Sequence, residues 1–313
     1  MPACSKIALG TAQLGMPYGI ANVTGKPDVH AAQEIVSACW DSGIRYFDTA
    51  QAYGESEVVL GNALRHTGVA DEARVVSKLS PVLQTESIGA ILGSLRASLD
   101  RLGMQRIWGV LLHREEQLDY WNTSVGEAFE IARRDGLLAH VGVSVYSPAR
   151  ALQALEMSGL DMLQVPANVF DRRMQRAKVF AKASAKNTTV FIRSVYLQGL
   201  ALFNSRQAKE TASFGHEAVT AFERFCATNG IDQKRFAFDY ARQISADAIR
   251  VVGAETKAQV IENSRLENQP GLDTALFRAW DETWPDDVED LVNPSRWGLL
   301  LNPPTIKLLG ANR

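Results

Sequence analysis

Short, continuously apolar runs alternate along this chain with longer stretches whose apolar positions recur every three or four residues. The runs are KIALG at 6–10, IRYFD at 44–48, ARVVSKL at 73–79, RIWGVLLH at 106–113, AHVGVS at 139–144, DMLQVP at 161–166, TVFIRS at 189–194 and AIRVVG at 248–253. The helical stretches cover 29–43, 56–66, 85–103, 124–136, 148–159, 172–187, 216–230, 232–245 and 257–269. A run that stays apolar on successive residues has both faces covered, which is the condition of a parallel strand between helices. Eight such strands, nearly all followed by a helix and without a Pro/Ser-rich linker, predict an α/β fold: a single (β/α)8 TIM barrel. The barrel is expected over about 5–268 of one domain. A C-terminal tail at about 269–313, with three of the six tryptophans, is expected to lie over the catalytic face. An open doubly wound sheet is the competing architecture, but no GxGxxG opens any of the helices.

Composition narrows the function more than the fold. The chain has 313 residues, 46% of them hydrophobic, and a formal net charge of −2. A near-neutral balance gives no electrostatic case for nucleic acid or a membrane surface. MPACSKIALG lacks the layout of a secretory leader, and no apolar run approaches the roughly 18 residues of a membrane span. Cys4, Cys39 and Cys226 are odd in number and widely spaced, so no disulfide framework is expected and the cytoplasm is the expected compartment. GIANVTGKP has the wrong spacing for a phosphate loop and Pro27 where Ser or Thr is needed. HREEQ is not HExxH, and GVSVY lacks the second glycine of a nucleophile elbow, so no metal or acyl-transfer site is expected.

In a barrel of this kind the chemistry sits at the carboxyl ends of the strands. Asp48, Lys78 and His113 end the second, third and fourth runs, and Tyr53 follows in the next loop. Ser144 ends the fifth run, Gln164 lies in the sixth, and Arg193 and Ser194 end the seventh. Singly, each has a structural reading as a cap, a solvated end or a packed ring. Together, at one end of consecutive strands, they suggest proton donation by Tyr53, with Lys78 lowering its pKa, Asp48 holding Lys78 charged, and His113 orienting a carbonyl. Hydride would have to come from a cofactor, since no side chain supplies one.

At these residues the chain resembles the aldo-keto reductase superfamily. The segment FDTAQAYGESEVVLGNAL resembles its D-T-A-x-x-Y-G-x-x-E motif, VVSKL its lysine strand and LLHR its histidine strand, with VGVS and VIEN matching further on. The resemblance implies a nicotinamide cofactor held in extended form, and Tyr53 as general acid with Asp48, Lys78 and His113 in support. It further implies Ser144 and Gln164 at the nicotinamide carboxamide, Ser194 near the pyrophosphate, and the loop VVGAETKAQVIEN around the adenosine end, with Glu262 and Asn263 near the adenine. Arg193 stands where many members stack a tyrosine on the nicotinamide. Gly253 and Gln259 stand where many place a lysine and an arginine for the 2′-phosphate, and Lys257 could compensate. NADP(H) remains what the resemblance implies ahead of NAD(H), but these departures weaken it and leave NAD(H) open.

The expected function is NAD(P)-dependent reduction of a small-molecule aldehyde or ketone to its alcohol. A cofactor-binding regulatory or sensor protein of the same fold is the alternative. The loop 15–28, the loop after the fourth strand with Trp121, and the Trp-rich tail are the expected substrate walls. Their aromatics and polar groups suit a polyhydroxylated aldehyde such as a sugar. Oligomeric state is not readable.

Overall fold

The eight predicted runs close into a barrel of parallel strands in sequence order, with β8 pairing back onto β1. The computed structural model describes residues 5–284 and 288–297, so Cys4 and the tail beyond residue 297 lie outside the described residues. The strands are β1 (Ile7–Gly10), β2 (Tyr46–Asp48), β3 (Arg74–Lys78), β4 (Ile107–Leu112), β5 (Leu138–Ser144), β6 (Met162–Pro166), β7 (Thr189–Arg193) and β8 (Ile249–Gly253). Their register sets Gly10 beside Asp48, Asp48 beside Val76 and Ser144 beside Gln164, so the polar strand ends rise to one rim. Below that rim the lumen is plugged by Ala8, Tyr46, Val76, Leu111, Met162, Phe191 and Ile249. The barrel is a packed core with chemistry possible only at its open end.

Capping explains where the surrounding helices begin and stop. Asp28 accepts from Ala31 N at 2.8 Å and starts the helix Val29–Asp41. Ser87 does the same for Ile88–Leu102 through Ala90 N, and Gly103, in the left-handed region, ends that helix. Each satisfies backbone groups that the helix itself leaves unpaired. One predicted helix is broken: 172–187 divides into Arg173–Arg176 and Val179–Ala185, with Lys178 between them at a φ of 58°.

Between β7 and β8 the chain carries more than one helix, His216–Thr228 and Gln233–Ile244 being the long ones. Against them packs the described part of the tail, the helix Thr274–Thr283, through Phe277 and Trp280 in a second aromatic core with Phe222, Phe236 and Tyr240. Trp280 Nε1 donates to Val169 O at 2.7 Å. The tail's tryptophans 280, 284 and 297 thus join this core, and among the described residues Asn293 and Pro294 are the tail residues that line the rim cavity.

Candidate active site

Asp48 and Lys78, on neighbouring strands, meet beneath the rim. Lys78 Nζ donates to Asp48 Oδ1 at 2.7 Å, to Oδ2 at 2.8 Å and to Thr49 O at 3.0 Å. The pair is almost sealed, the two side chains being 1% and 5% exposed. Gln164, from β6 on the far side of the lumen, donates its amide to the same Asp48 Oδ1 at 2.7 Å.

Tyr53 sits directly above this pair, with Lys78 Nζ 4.9 Å from its ring centroid. His113, just past β4, meets the Tyr53 ring edge-on at 5.8 Å between centroids. The turn that carries Tyr53 is fixed from below. Ser56 Oγ bonds Thr11 O at 2.7 Å and Thr49 Oγ1 at 2.9 Å. Gly54 has a φ of 56°, and a Cβ on it would lie 2.5 Å from Gly15 O. Only glycine permits that backbone crossing.

The electrostatics correct one sequence expectation. Burial, followed by the Asp48 carboxylate, pushes the Tyr53 phenol up from its ordinary range, and the Arg193 cation opposes this. Lys78 spends its charge on Asp48, and burial lowers its own pKa against that partner. Tyr53 is therefore held protonated, not drawn toward ionisation. His113 is pushed down to about 3, first by burial and then by Lys78 and Arg193, so its imidazole is neutral. Its Nδ1 is buried without a hydrogen-bond partner among the described residues.

Above these groups opens a cavity of about 780 Å³. Asp48, Tyr53, Lys78 and His113 line it at one end. Ser144, Gln164, Arg193 and Ser194 follow along the wall, and Gly253, Gln259 and Asn263 lie toward the start of the helix Lys257–Asn268. Gln164 Oε1 is buried and has no partner among the described residues. Since the amide nitrogen is held by Asp48, that oxygen is an acceptor awaiting a donor beside Ser144, as the amide group of a nicotinamide would provide. Arg193 stacks on Tyr146, its guanidinium carbon 3.9 Å from the ring centroid, and donates to Val145 O at 3.3 Å. Ser194 adopts a φ of 62°, and its carbonyl accepts from Asn168 Nδ2 at 3.0 Å.

Two expected cofactor residues stand apart from this wall. Lys257 is exposed on the first turn of its helix, and Glu262 is exposed and pairs with Lys234, which itself lines the cavity. Gln259 turns back on its own loop, accepting from Glu255 N at 2.7 Å. Asn263 is buried and accepts from Tyr196 OH at 3.3 Å. Trp121, expected in a substrate wall, is a core residue instead: it is buried against Phe129, and its Nε1 donates to Ser158 O at 3.0 Å. Wall residues that the sequence did not single out include Gln13, Tyr18, Tyr146, Tyr196, Lys234 and Glu255. Tyr18 belongs to the 15–28 loop already marked as a wall. Its phenol is pushed up to about 12 by burial and by neighbouring Tyr53 and Tyr146. No helix among the described residues is long and apolar enough to cross a membrane.

Comparison with known proteins identifies the family to which the chain belongs. The chain is 26% identical over 323 residues to a D-threo-aldose 1-dehydrogenase of a Pseudomonas species, covering 89% of this chain and 97% of that one. It is 30% identical over 159 residues to a probable voltage-gated potassium channel subunit beta of Oryza sativa, covering 46% of this chain and 48% of that protein. Among solved structures, the aldo-keto reductase AKR11C1 of Bacillus halodurans superposes with a TM-score of 0.74 at 19% identity, over 93% of this chain and 96% of that one. Residues 6–285 match the aldo/keto reductase family, and the chain belongs to that family of carbonyl-reducing, nicotinamide-dependent oxidoreductases.

Proposed function

We propose that this protein interconverts a small polyhydroxylated aldehyde or ketone with its alcohol, Tyr53 donating the proton to the carbonyl oxygen. The observation that carries the reading is the sealed Asp48–Lys78 pair directly beneath Tyr53, at the floor of a cavity large enough for cofactor and substrate. A charged pair so deeply buried costs desolvation and is better explained by function than by stability.

Bound nicotinamide supplies the hydride. Gln164 Oε1 and Ser144 would hold the carboxamide, fixing which ring face meets the substrate. Neutral His113 donates a hydrogen bond to the carbonyl oxygen and orients it toward Tyr53. As charge grows on that oxygen, the phenol releases its proton, and the adjacent ammonium of Lys78 stabilises the phenolate that results. Asp48 keeps Lys78 protonated and immobile, so little reorganisation accompanies the transfer.

The substrate class is supported by the polar wall, where Tyr18, Asn22, Arg114 and Glu116 join Tyr146. It is supported as well by the similarity to a D-threo-aldose 1-dehydrogenase. The similarity to a potassium channel subunit beta favours a second reading, a cofactor-binding subunit with little turnover. The test is to titrate the protein with NADH and NADPH by fluorescence, then follow oxidation of the nucleotide by a panel of sugars and apolar aldehydes, beside Tyr53→Phe. Turnover lost in the variant while nucleotide binding survives supports the enzyme reading. Binding without turnover on any carbonyl supports the subunit reading, and turnover of apolar aldehydes alone rejects the sugar.

A further inference from the structure

The two ends of the cavity carry opposite chemistry. At the Tyr53 end stand Lys78 and Arg193, while the far end, where the helix Lys257–Asn268 begins, presents the carboxylate of Glu255. Glu255 is partly buried, accepts from Thr24 Oγ1 at 3.5 Å, and has no cation within ion-pairing distance among the described residues. Its backbone is pinned by Gln259, so the carboxylate is held at the wall.

The cations of this region are already committed or outside. Lys234 is tied to Glu262 and leans over the Tyr196 ring, 6.0 Å from its centroid. Lys257 is exposed and does not line the cavity. Position 253 is a glycine, and a Cβ built on it would lie 2.2 Å from Gln13 Nε2, so the amide of Gln13 fills the space a longer side chain would need. The far end therefore offers a carboxylate that meets only the Thr24 hydroxyl and the Gln259 amide, with no cation beside it among the described residues, and neutral amides.

With the nicotinamide at Gln164 and Tyr53, the resemblance puts the adenosine ribose on the loop after β8, where Glu255 stands. A carboxylate accepts hydrogen bonds from a ribose diol and repels a phosphomonoester dianion. Resting on the cofactor reading above, we propose that Glu255 makes the site selective for NAD(H) over NADP(H), against the expectation drawn from the resemblance. Glu255 is thus the residue that sets cofactor choice, by attraction to one nucleotide and repulsion of the other.

The experiment is an equilibrium titration of the full chain with NADH and with NADPH at low and high salt, following nucleotide fluorescence. Wild type is expected to bind NADH at least about tenfold more tightly, with the gap narrowing as salt screens the repulsion. Glu255→Gln should narrow the ratio chiefly by tightening NADPH, and Glu255→Lys should reverse it. Equal or tighter binding of NADPH by wild type overturns the proposal while leaving the cofactor reading intact. So does a ratio that Glu255→Gln does not move, or a loss of NADPH affinity in Lys257→Ala that shows a phosphate held there. Failure to bind either nucleotide rejects the cofactor reading and this proposal with it.

Discussion

Gln164 and Lys78 converge on one oxygen: Asp48 Oδ1 accepts from Gln164 Nε2 and from Lys78 Nζ, each at 2.7 Å. The bond joins the proton-donating end of the site to the proposed nicotinamide end, and it orients Gln164 so that Oε1 faces away from Asp48 without a partner. Gln164→Leu removes both functions. It should cost about 1.5–3 kcal/mol of stability, the worth of a buried hydrogen bond to a charge. It should also weaken nucleotide binding by about tenfold, one missing hydrogen bond's worth. Denaturant melts and fluorescence titration read the two effects separately, and an unchanged nucleotide affinity would remove Gln164 from the cofactor site.

The Asp48–Lys78 pair should behave as a unit. Asp48→Asn strands a buried ammonium whose pKa burial already depresses, and Lys78→Met strands the carboxylate. Each single change should cost about 3–5 kcal/mol. Asp48→Leu combined with Lys78→Met leaves neither charge uncompensated and should be more stable than either single variant, while all three lose turnover. A double variant no more stable than the singles would show that Gln164 and Thr49 O, not the charge pairing, dominate the cost.

His113 gives the pH dependence a sign. Its folded-state pKa lies near 3, against an ordinary value of 6.5. Between those values the unfolded chain binds a proton that the folded chain refuses, so stability rises with pH across this window and is lost as pH falls through it. His113→Asn should flatten the acid limb of a plot of unfolding free energy against pH, relative to wild type, between roughly pH 6.5 and 4. The protonated state of Tyr53 also implies that reduction rates at saturating cofactor stay level from about pH 6 to 8. A rate that climbs or falls tenfold per unit there would mean that Tyr53 titrates in that range.

What could be read from the chain alone follows from which interactions are local. Asp48, Lys78 and His113 were legible because each ends an apolar run, and a barrel sends all strand ends to one rim. The Gln164–Asp48 bond was not, since it spans 116 positions and depends on which lumen-facing groups meet across the barrel. The stacking of Arg193 on Tyr146 joins the end of β7 to the loop after β5, and no spacing rule connects them. Trp121 was misplaced because a tryptophan in a loop after a strand reads the same whether it faces a cavity or, as here, a core. The direction of the Tyr53 shift also depended on depth: the sequence suggested a lysine nearby, but not that Asp48 would take that charge. Glu255 lay inside a motif whose neighbours drew the attention, and only the lack of a cation beside it among the described residues singles it out.

The Gly15–Gly54 crossing offers a way to move the acid without touching the cofactor wall. A Cβ at Gly54 would sit 2.5 Å from Gly15 O, and one at Gly15 would sit 1.8 Å from Tyr53 O. Gly54 also holds a left-handed φ of 56°, so Gly54→Ala combines a steric clash with backbone strain of about 1–3 kcal/mol. The Tyr53 turn must shift to relieve it, whereas Gln164, Ser144 and Asn263 sit on β6, β5 and the helix Lys257–Asn268 and need not move. The expected result is a fall in kcat of about a hundredfold, the effect of misplacing a reacting group by an ångström. Nucleotide affinity should stay within about threefold, since less than 1 kcal/mol of binding is at stake. If instead nucleotide affinity falls as steeply as kcat, the Tyr53 turn and the cofactor wall are mechanically one piece, and the acid cannot be displaced independently of the nicotinamide site.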